Sequence, residues 1–284
     1  MRSLKLLLVI AFVILLGACS RSVQRTTEVV SIPSATLPLS PGDNAWSTAP
    51  EYAAKLLMQD LVEPRLMKAS TSEVLVRSLT NGSEIAFRLQ WADPTVDDLP
   101  GPGRFIDSCA VQIPSVTDPN LPDPQMGQPG KPVQITFWRA DWQASVDGRP
   151  DDIHSIYPNA SIDHYPFQAK PLEPGSAAQK EMAKRYAPAE AVGNRRAGPR
   201  EMPVEDLAAE GPGTLAPAEQ RKSRGKGMHD AQGWTVVIVR PMPAGFGPKT
   251  RTQVAFAVWE GSHDEAGARK MRTGWAPLAA REAK

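Results

Sequence analysis

The sequence predicts a mainly β fold, an antiparallel β-sandwich with a few short helices and long loops. Three observations carry that prediction. Apolar and polar residues alternate in short runs, the period-two pattern that turns one face of a strand inward. Gly, Pro and Asn separate the runs, with none of the strand–helix alternation that builds a parallel sheet. The chain carries 28 prolines in 284 residues, about twice the usual share, and proline suits loops and sheet edges better than helix interiors.

The first 18 residues read as a lipoprotein signal peptide. Arg2 and Lys5 supply the charged start, and residues 6–16 form an apolar run too short for a comfortable membrane span. The run closes in Leu16-Gly17-Ala18-Cys19, which resembles the lipobox of bacterial lipoproteins. Small residues there let a peptidase reach the bond before Cys19, whose thiol takes the lipid. A plain secretory signal with a chance cysteine is the competing reading. Ser20 after Cys19, rather than an aspartate, resembles outer-membrane sorting more than inner-membrane retention. Residues 19–42, rich in Ser, Thr and Pro, read as a flexible tether.

The domain proper is expected over 43–284, opening at Asp43-Asn44-Ala45-Trp46. Residues 73–79 alternate as a strand, and Asn81-Gly82 is a hairpin signal. Ile85, Phe87, Leu89 and Trp91 then share one strand face. Residues 104–114 form a third strand candidate, with Asp107, Cys109, Val111 and Ile113 on one side. A Pro-, Asp- and Gly-rich loop follows over 118–131 and contains Gln125-Met126-Gly127. Strand resumes over 133–138. Residues 144–233 are polar and poor in aliphatics, and they read as a long surface excursion with one helix at 177–186. Residues 234–240 and 252–259 are the last strands. In the latter, Val254, Phe256 and Val258 point one way and Ala255, Ala257 and Trp259 the other. A break at Glu260-Gly261-Ser262 leads through a polar turn to Lys270, Trp275 and Leu278.

Composition closes off several functions. Basic and acidic residues number 32 and 31, with no basic stripe for nucleic acid. With Cys19 committed to lipid, Cys109 has no intramolecular partner, so no disulfide framework forms. Cys-x-x-Cys-His is absent, which excludes a covalently attached haem. There is no nucleophile–base pair, phosphate-binding Gly loop or zinc spacing, so catalysis by this chain alone is not expected. Asp93 precedes Pro94 at a strand end, a turn role, and Asp107 suits capping a loop or orienting a pocket.

Several stretches together carry a family resemblance. They are Ile85-Ala86-Phe87-Arg88-Leu89-Gln90-Trp91-Ala92-Asp93-Pro94, Phe105-Ile106-Asp107 with Ala110-Val111-Gln112-Ile113-Pro114, and Met126-Gly127. Pro132-Val133, Trp138-Arg139-Ala140-Asp141-Trp142 and Gly233-Trp234-Thr235-Val236-Val237 with Arg240 follow. Phe256-Ala257-Val258-Trp259-Glu260-Gly261 then leads to Lys270 and Trp275. In order and spacing, from Asp43 to Leu278, they resemble the haem-binding gamma subunits of the type II dimethyl sulfoxide reductase group, which includes ethylbenzene dehydrogenase. The lipobox and the length of the 144–233 stretch depart from that pattern. The resemblance implies a β-sandwich holding one non-covalent b-type haem, with Met126 and Lys270 as axial ligands. It also implies electron relay between an iron–sulfur subunit, beside a molybdenum subunit, and an external partner such as a c-type cytochrome.

The chemistry of the two side chains bears on that implication. A thioether is soft and favours ferrous iron, and Met126 lies in a Pro/Gly loop rather than in an obvious core position. A core gap-filler is its other reading. Lysine must be neutral to bind iron, against an ordinary pKa of about 10.4, so Lys270 needs burial, which Trp259 and Trp275 could supply. Otherwise it is a surface lysine with a snorkelling stem. Met228 and His263 are reserve ligands, while His154, His164 and His229 read as loop residues. Two other functions compete with the haem reading. One is a ligand- or sugar-binding β-sandwich lipoprotein with Trp138 and Trp142 as platforms. The other is a structural lipoprotein that docks an enzyme to the membrane.

Overall fold

A computed structural model describes residues 25–150, 152–161, 173, 175–186 and 200–282. The expected signal peptide, Cys19 and His164 lie outside the described residues. The strands, in chain order, are β1 (Arg25–Thr26), β2 (Val29–Pro33), β3 (Glu51–Lys55), β4 (Leu57–Met58), β5 (Glu73–Thr80), β6 (Glu84–Trp91), β7 (Ser108–Pro114), β8 (Val133–Arg139), β9 (Val204–Ala209), β10 (Ala216–Pro217), β11 (Arg224–Asp230), β12 (Gly233–Pro241), β13 (Arg251–Trp259), β14 (Met271–Arg272) and β15 (Ala276–Ala280). The α-helices are short: α1 (Ala140–Val146), α2 (Ile153–Ile156) and α3 (Ala177–Tyr186).

The fold is the expected mainly β sandwich. One hydrogen-bonded path runs β10-β9-β8-β7-β13-β15-β2-β5-β6-β12-β11, and β13 is where it turns from one layer into the other. The first half of β13, from Arg251 to Val254, pairs with β15. Its second half, from Ala255 to Trp259, pairs with β7. The layers meet through Phe87 and Phe256, whose ring centroids lie 6.2 Å apart. Trp138 touches Trp91 at 6.4 Å and Trp234 at 5.0 Å, edge to face. Each such pair contributes about 0.5–1.5 kcal/mol beyond its buried area. Around them pack Cys109, Val111, Ile113, Val254 and Val258, the inward face that the alternating sequence marks. The Asn81-Gly82 turn joins β5 to β6 as expected, with Gly82 at φ 90° and Asn81 Oδ1 accepting from the backbone of Ser83 and Glu84.

Three sequence expectations change. Val29–Pro33, assigned to the tether, is a strand lying between β15 and β5, with Val29 and Ser31 buried. Its two pairings and that of β1 with β3 are parallel, so the sheet is mixed. An inserted strand takes its register from two neighbours and needs little pattern of its own. The 144–233 excursion, besides the expected α3, contributes β9 and β11, which extend the two layers. In β9 the acidic pair Glu205 and Asp206 separates Val204, which packs in the inter-layer core, from Leu207 and Ala209 on the outer face, so no apolar alternation is read. In β11 glycine stands where an apolar residue would be read, because a Cβ on Gly227 would fall 2.2 Å from the Trp138 ring. Finally, the third strand begins at Ser108, and residues 140–146 turn into a helix.

Candidate functional site

The outer face of the second layer is also apolar. Ala110, Val133, Ile135, Leu207, Ala209, Ala257 and Trp259 form a buried cluster separate from the inter-layer core. Ala110 and Ala257 are cross-strand partners, and Ala255 stands two residues away on the same face. Alanine is disfavoured in strands, and here it leaves room. A cavity of about 510 Å³ lies on this face, within the range of small-molecule and cofactor sites. Ala110, Ala255 and Ala257 line it, as do the larger Phe137, Ile135 and Trp259.

Met126 and Lys270 both line this cavity. Met126 is held in the left-handed region at φ 68°, one of only two non-glycine residues so placed among those described. A non-glycine side chain there costs on the order of 1 kcal/mol and persists only where the surroundings over-determine it. They do so here. The Met126 carbonyl accepts from Gly211 N at 2.8 Å, and Gly127 N donates to Asp123 O at 2.9 Å. Gln112 Nε2 donates to Pro124 O at 3.0 Å, and Trp275 Nε1 to Pro122 O at 2.7 Å. Gly127, at φ 83°, is fixed by contact as well: a Cβ would come within 2.9 Å of Lys131 O and 3.0 Å of Ala209 O.

Lys270 follows a turn that closes over Trp259, whose Nε1 donates to Gly267 O at 3.0 Å. Its amine lies 5.0 Å from the Trp259 ring centroid and makes no hydrogen bond or ion pair among the described residues. The side chain is half-buried and lines the cavity. Burial, followed by the Arg272 charge, pushes its pKa down to about 8. Met271 between them is buried in the inter-layer core, so Lys270 and Arg272 alternate to the opposite, cavity side.

The other sequence candidates lie elsewhere. His263 is 3.7 Å from Glu260 and does not line the cavity. Met228 is exposed on β11, and His229 Nε2 lies 2.9 Å from Asp93 O. Trp138 and Trp142 are buried and offer no open platform, which corrects that part of the sugar-binding reading. Asp93 Oδ1 accepts from Thr95 N, a turn role as expected. Asp107 ties distant loops together: it accepts from Asp97 N at 2.7 Å, Gly261 N at 2.8 Å and Trp234 Nε1 at 3.0 Å. Burial pushes its carboxyl up to about 7 against the pull of these donors. Sequence reasoning missed Arg272 and Arg104, which line the cavity. The i, i+2 step from Lys270 to Arg272 was the available signal.

A family model described as ethylbenzene dehydrogenase matches residues 43–271. A protein of Haloferax mediterranei, provisionally named as the heme subunit ORF7 of a respiratory nitrate reductase, is 25% identical over 279 residues. The match covers 94% of this chain and 79% of that protein. Two solved structures of a carbohydrate binding module family 9 from Caldicellulosiruptor kristjanssonii, with cellotriose and with glucose, align at TM-scores of 0.44 and 0.42. Both are 8% identical and cover 92% of this chain and 95% and 97% of theirs. That likeness is too slight to carry an argument.

Proposed function

The chain belongs to the ethylbenzene dehydrogenase family, and from that premise we propose that it is a haem-binding electron-transfer subunit of a respiratory oxidoreductase complex. The name of the Haloferax mediterranei relative supports the same reading. One observation carries it to particular residues. A thioether on a pinned, left-handed loop residue and an amine with a depressed pKa open into one apolar cavity.

The residues present fit a haem. Met126 would offer a soft sulfur and Lys270 a nitrogen whose deprotonation the site has already made easier. When bound, haem supplies a one-electron couple. The protein's part is to hold the donors and keep water off the ring. The alanine floor leaves space for a flat apolar body, and Phe137, Ile135 and Trp259 exclude solvent around it. The hydrogen bonds that fix the backbone of residues 122–127 would hold Met126 in place beside a bound haem.

The finer reading is one non-covalent b-type haem held by Met126 and Lys270. The chain would relay electrons between an iron–sulfur subunit, beside a molybdenum subunit that performs the substrate chemistry, and an external partner such as a c-type cytochrome. Cys19 would carry a lipid that anchors the protein on the periplasmic side of a bacterial membrane, the outer rather than the inner. An absorption spectrum of the purified chain tests the core of this reading. A b-type Soret band that shifts on reduction is expected, and a chain that stays colourless after haem reconstitution refutes it.

A further inference from the structure

The cavity that holds Met126 and Lys270 is apolar in its floor but carries unmatched positive charge. Arg272 pairs with Ala257 across β14 and β13, so its side chain shares the face on which Ala257 lines the cavity. It makes no hydrogen bond or ion pair among the described residues, and its Nε is enclosed without a partner. Arg104, exposed at the rim, has no side-chain partner among the described residues either. The third cavity arginine, Arg139, is already satisfied, since Asp141 takes both ends of its fork at 2.8 Å.

The cavity's own acids do not answer these charges. Glu63 pairs with Arg65 at 2.8 Å and is exposed. Glu265 accepts from the Ser70 hydroxyl and from Glu260 N. Arginines that face an apolar cavity with no acceptor among the described residues, one of them with its Nε buried, suit a ligand that supplies one. The planar guanidinium fork matches a carboxylate better than any other common group.

We propose that Arg272, assisted by Arg104 at the rim, binds the carboxylate substituents of the cavity's flat ligand, the propionates if that ligand is haem. The assignment rests on the haem reading above and adds which edge of the ring faces the 104 and 272 side. It also explains why an otherwise apolar box keeps a second half-buried cation beside Lys270.

The test compares haem with haem dimethyl ester, in which both propionates are neutral, titrated into the full chain freed of haem. Uptake is followed by quenching of tryptophan fluorescence and by the Soret band. Wild type is expected to prefer haem over the ester by about tenfold or more, the effect of a charge-assisted pair. Arg272→Gln should lose most of that preference and leave ester affinity unchanged. At saturating haem its low-spin spectrum should match wild type, because the iron ligands are untouched. Arg272→Lys should retain an intermediate preference, and it decides the matter if the glutamine variant does not fold. Equal affinity of wild type for both ligands, or an undiminished preference in the Arg272 variants, overturns the assignment. A wild type that takes up neither ligand overturns the haem reading itself, a result distinct from losing the preference alone.

Discussion

Replacing Lys270 by leucine should stabilise the haem-free protein while removing a proposed haem ligand. The ammonium is half-buried beside Trp259 with no anionic partner among the described residues, and its pKa is about 8 against an ordinary 10.5. Below pH 8 the lysine is protonated in both folded and unfolded chains, and the folded state bears the whole cost of burying the charge. Between 8 and 10.5 the folded amine sheds its proton while the unfolded chain keeps it, so stability rises with pH across that window. The gap is worth roughly 3 kcal/mol at about 1.36 kcal/mol per pKa unit, an upper figure because the side chain still meets the cavity. Lys270→Leu should therefore raise the stability of the haem-free chain at pH 7 by up to about 3 kcal/mol, or roughly 6 °C in Tm. The gain should fade as pH approaches 10.5. Urea unfolding at pH 7 and pH 10 measures it. After haem reconstitution, Lys270→Leu and Lys270→Arg should both be high spin, since neither offers a lone pair. Lys226→Leu should keep the wild-type spectrum. Equal stability of wild type and Lys270→Leu at pH 7 would refute the burial argument. A wild-type low-spin spectrum in Lys270→Leu would refute the ligand assignment.

Four further outcomes are expected. Met126→Ala should weaken haem binding on the order of tenfold and lower the potential, because loss of the soft sulfur favours ferric iron; a haem titration and a redox titration that leave both unchanged refute the sulfur assignment. Asp107→Asn should destabilise the fold by about 2–3 kcal/mol, because an amide N–H would meet a converging donor in place of an acceptor; an unshifted urea midpoint would contradict that. Removing residues 1–24 should leave the domain folded, whereas removing 1–33 should not, because β2 bonds to strands on both sides; matching circular dichroism and urea midpoints for the two truncations would show β2 to be dispensable. Cys19→Ser should yield soluble protein or an uncleaved precursor on fractionation, and a wild type that carries no lipid and fractionates like the mutant defeats the anchor.

What the sequence determined alone is whatever a local period encodes. Residues 73–91 show a strand, an Asn-Gly turn and a second strand, and they form a hairpin in the structure. Likewise the alternation of Val254, Phe256 and Val258 with Ala255, Ala257 and Trp259 already divides an inner face from an outer one. The outer face becomes a cavity floor, but only the tertiary structure says so, because a cavity is made of what distant segments leave empty. Met126 reaches it from a loop pinned by Gly211 and Trp275, and Lys270 from a turn closed by Trp259. Both residues were nameable from the chain, but the strained φ of one and the depressed pKa of the other arise only from packing. Val29–Pro33 and Arg224–Asp230 show the same limit from the other side. The first is a short run closed by proline, and the second carries no apolar alternation. One is a strand because β15 and β5 flank it, the other because glycine alone fits beneath the Trp138 ring. Local pattern fixes which way side chains point, and long-range pairing fixes what they meet.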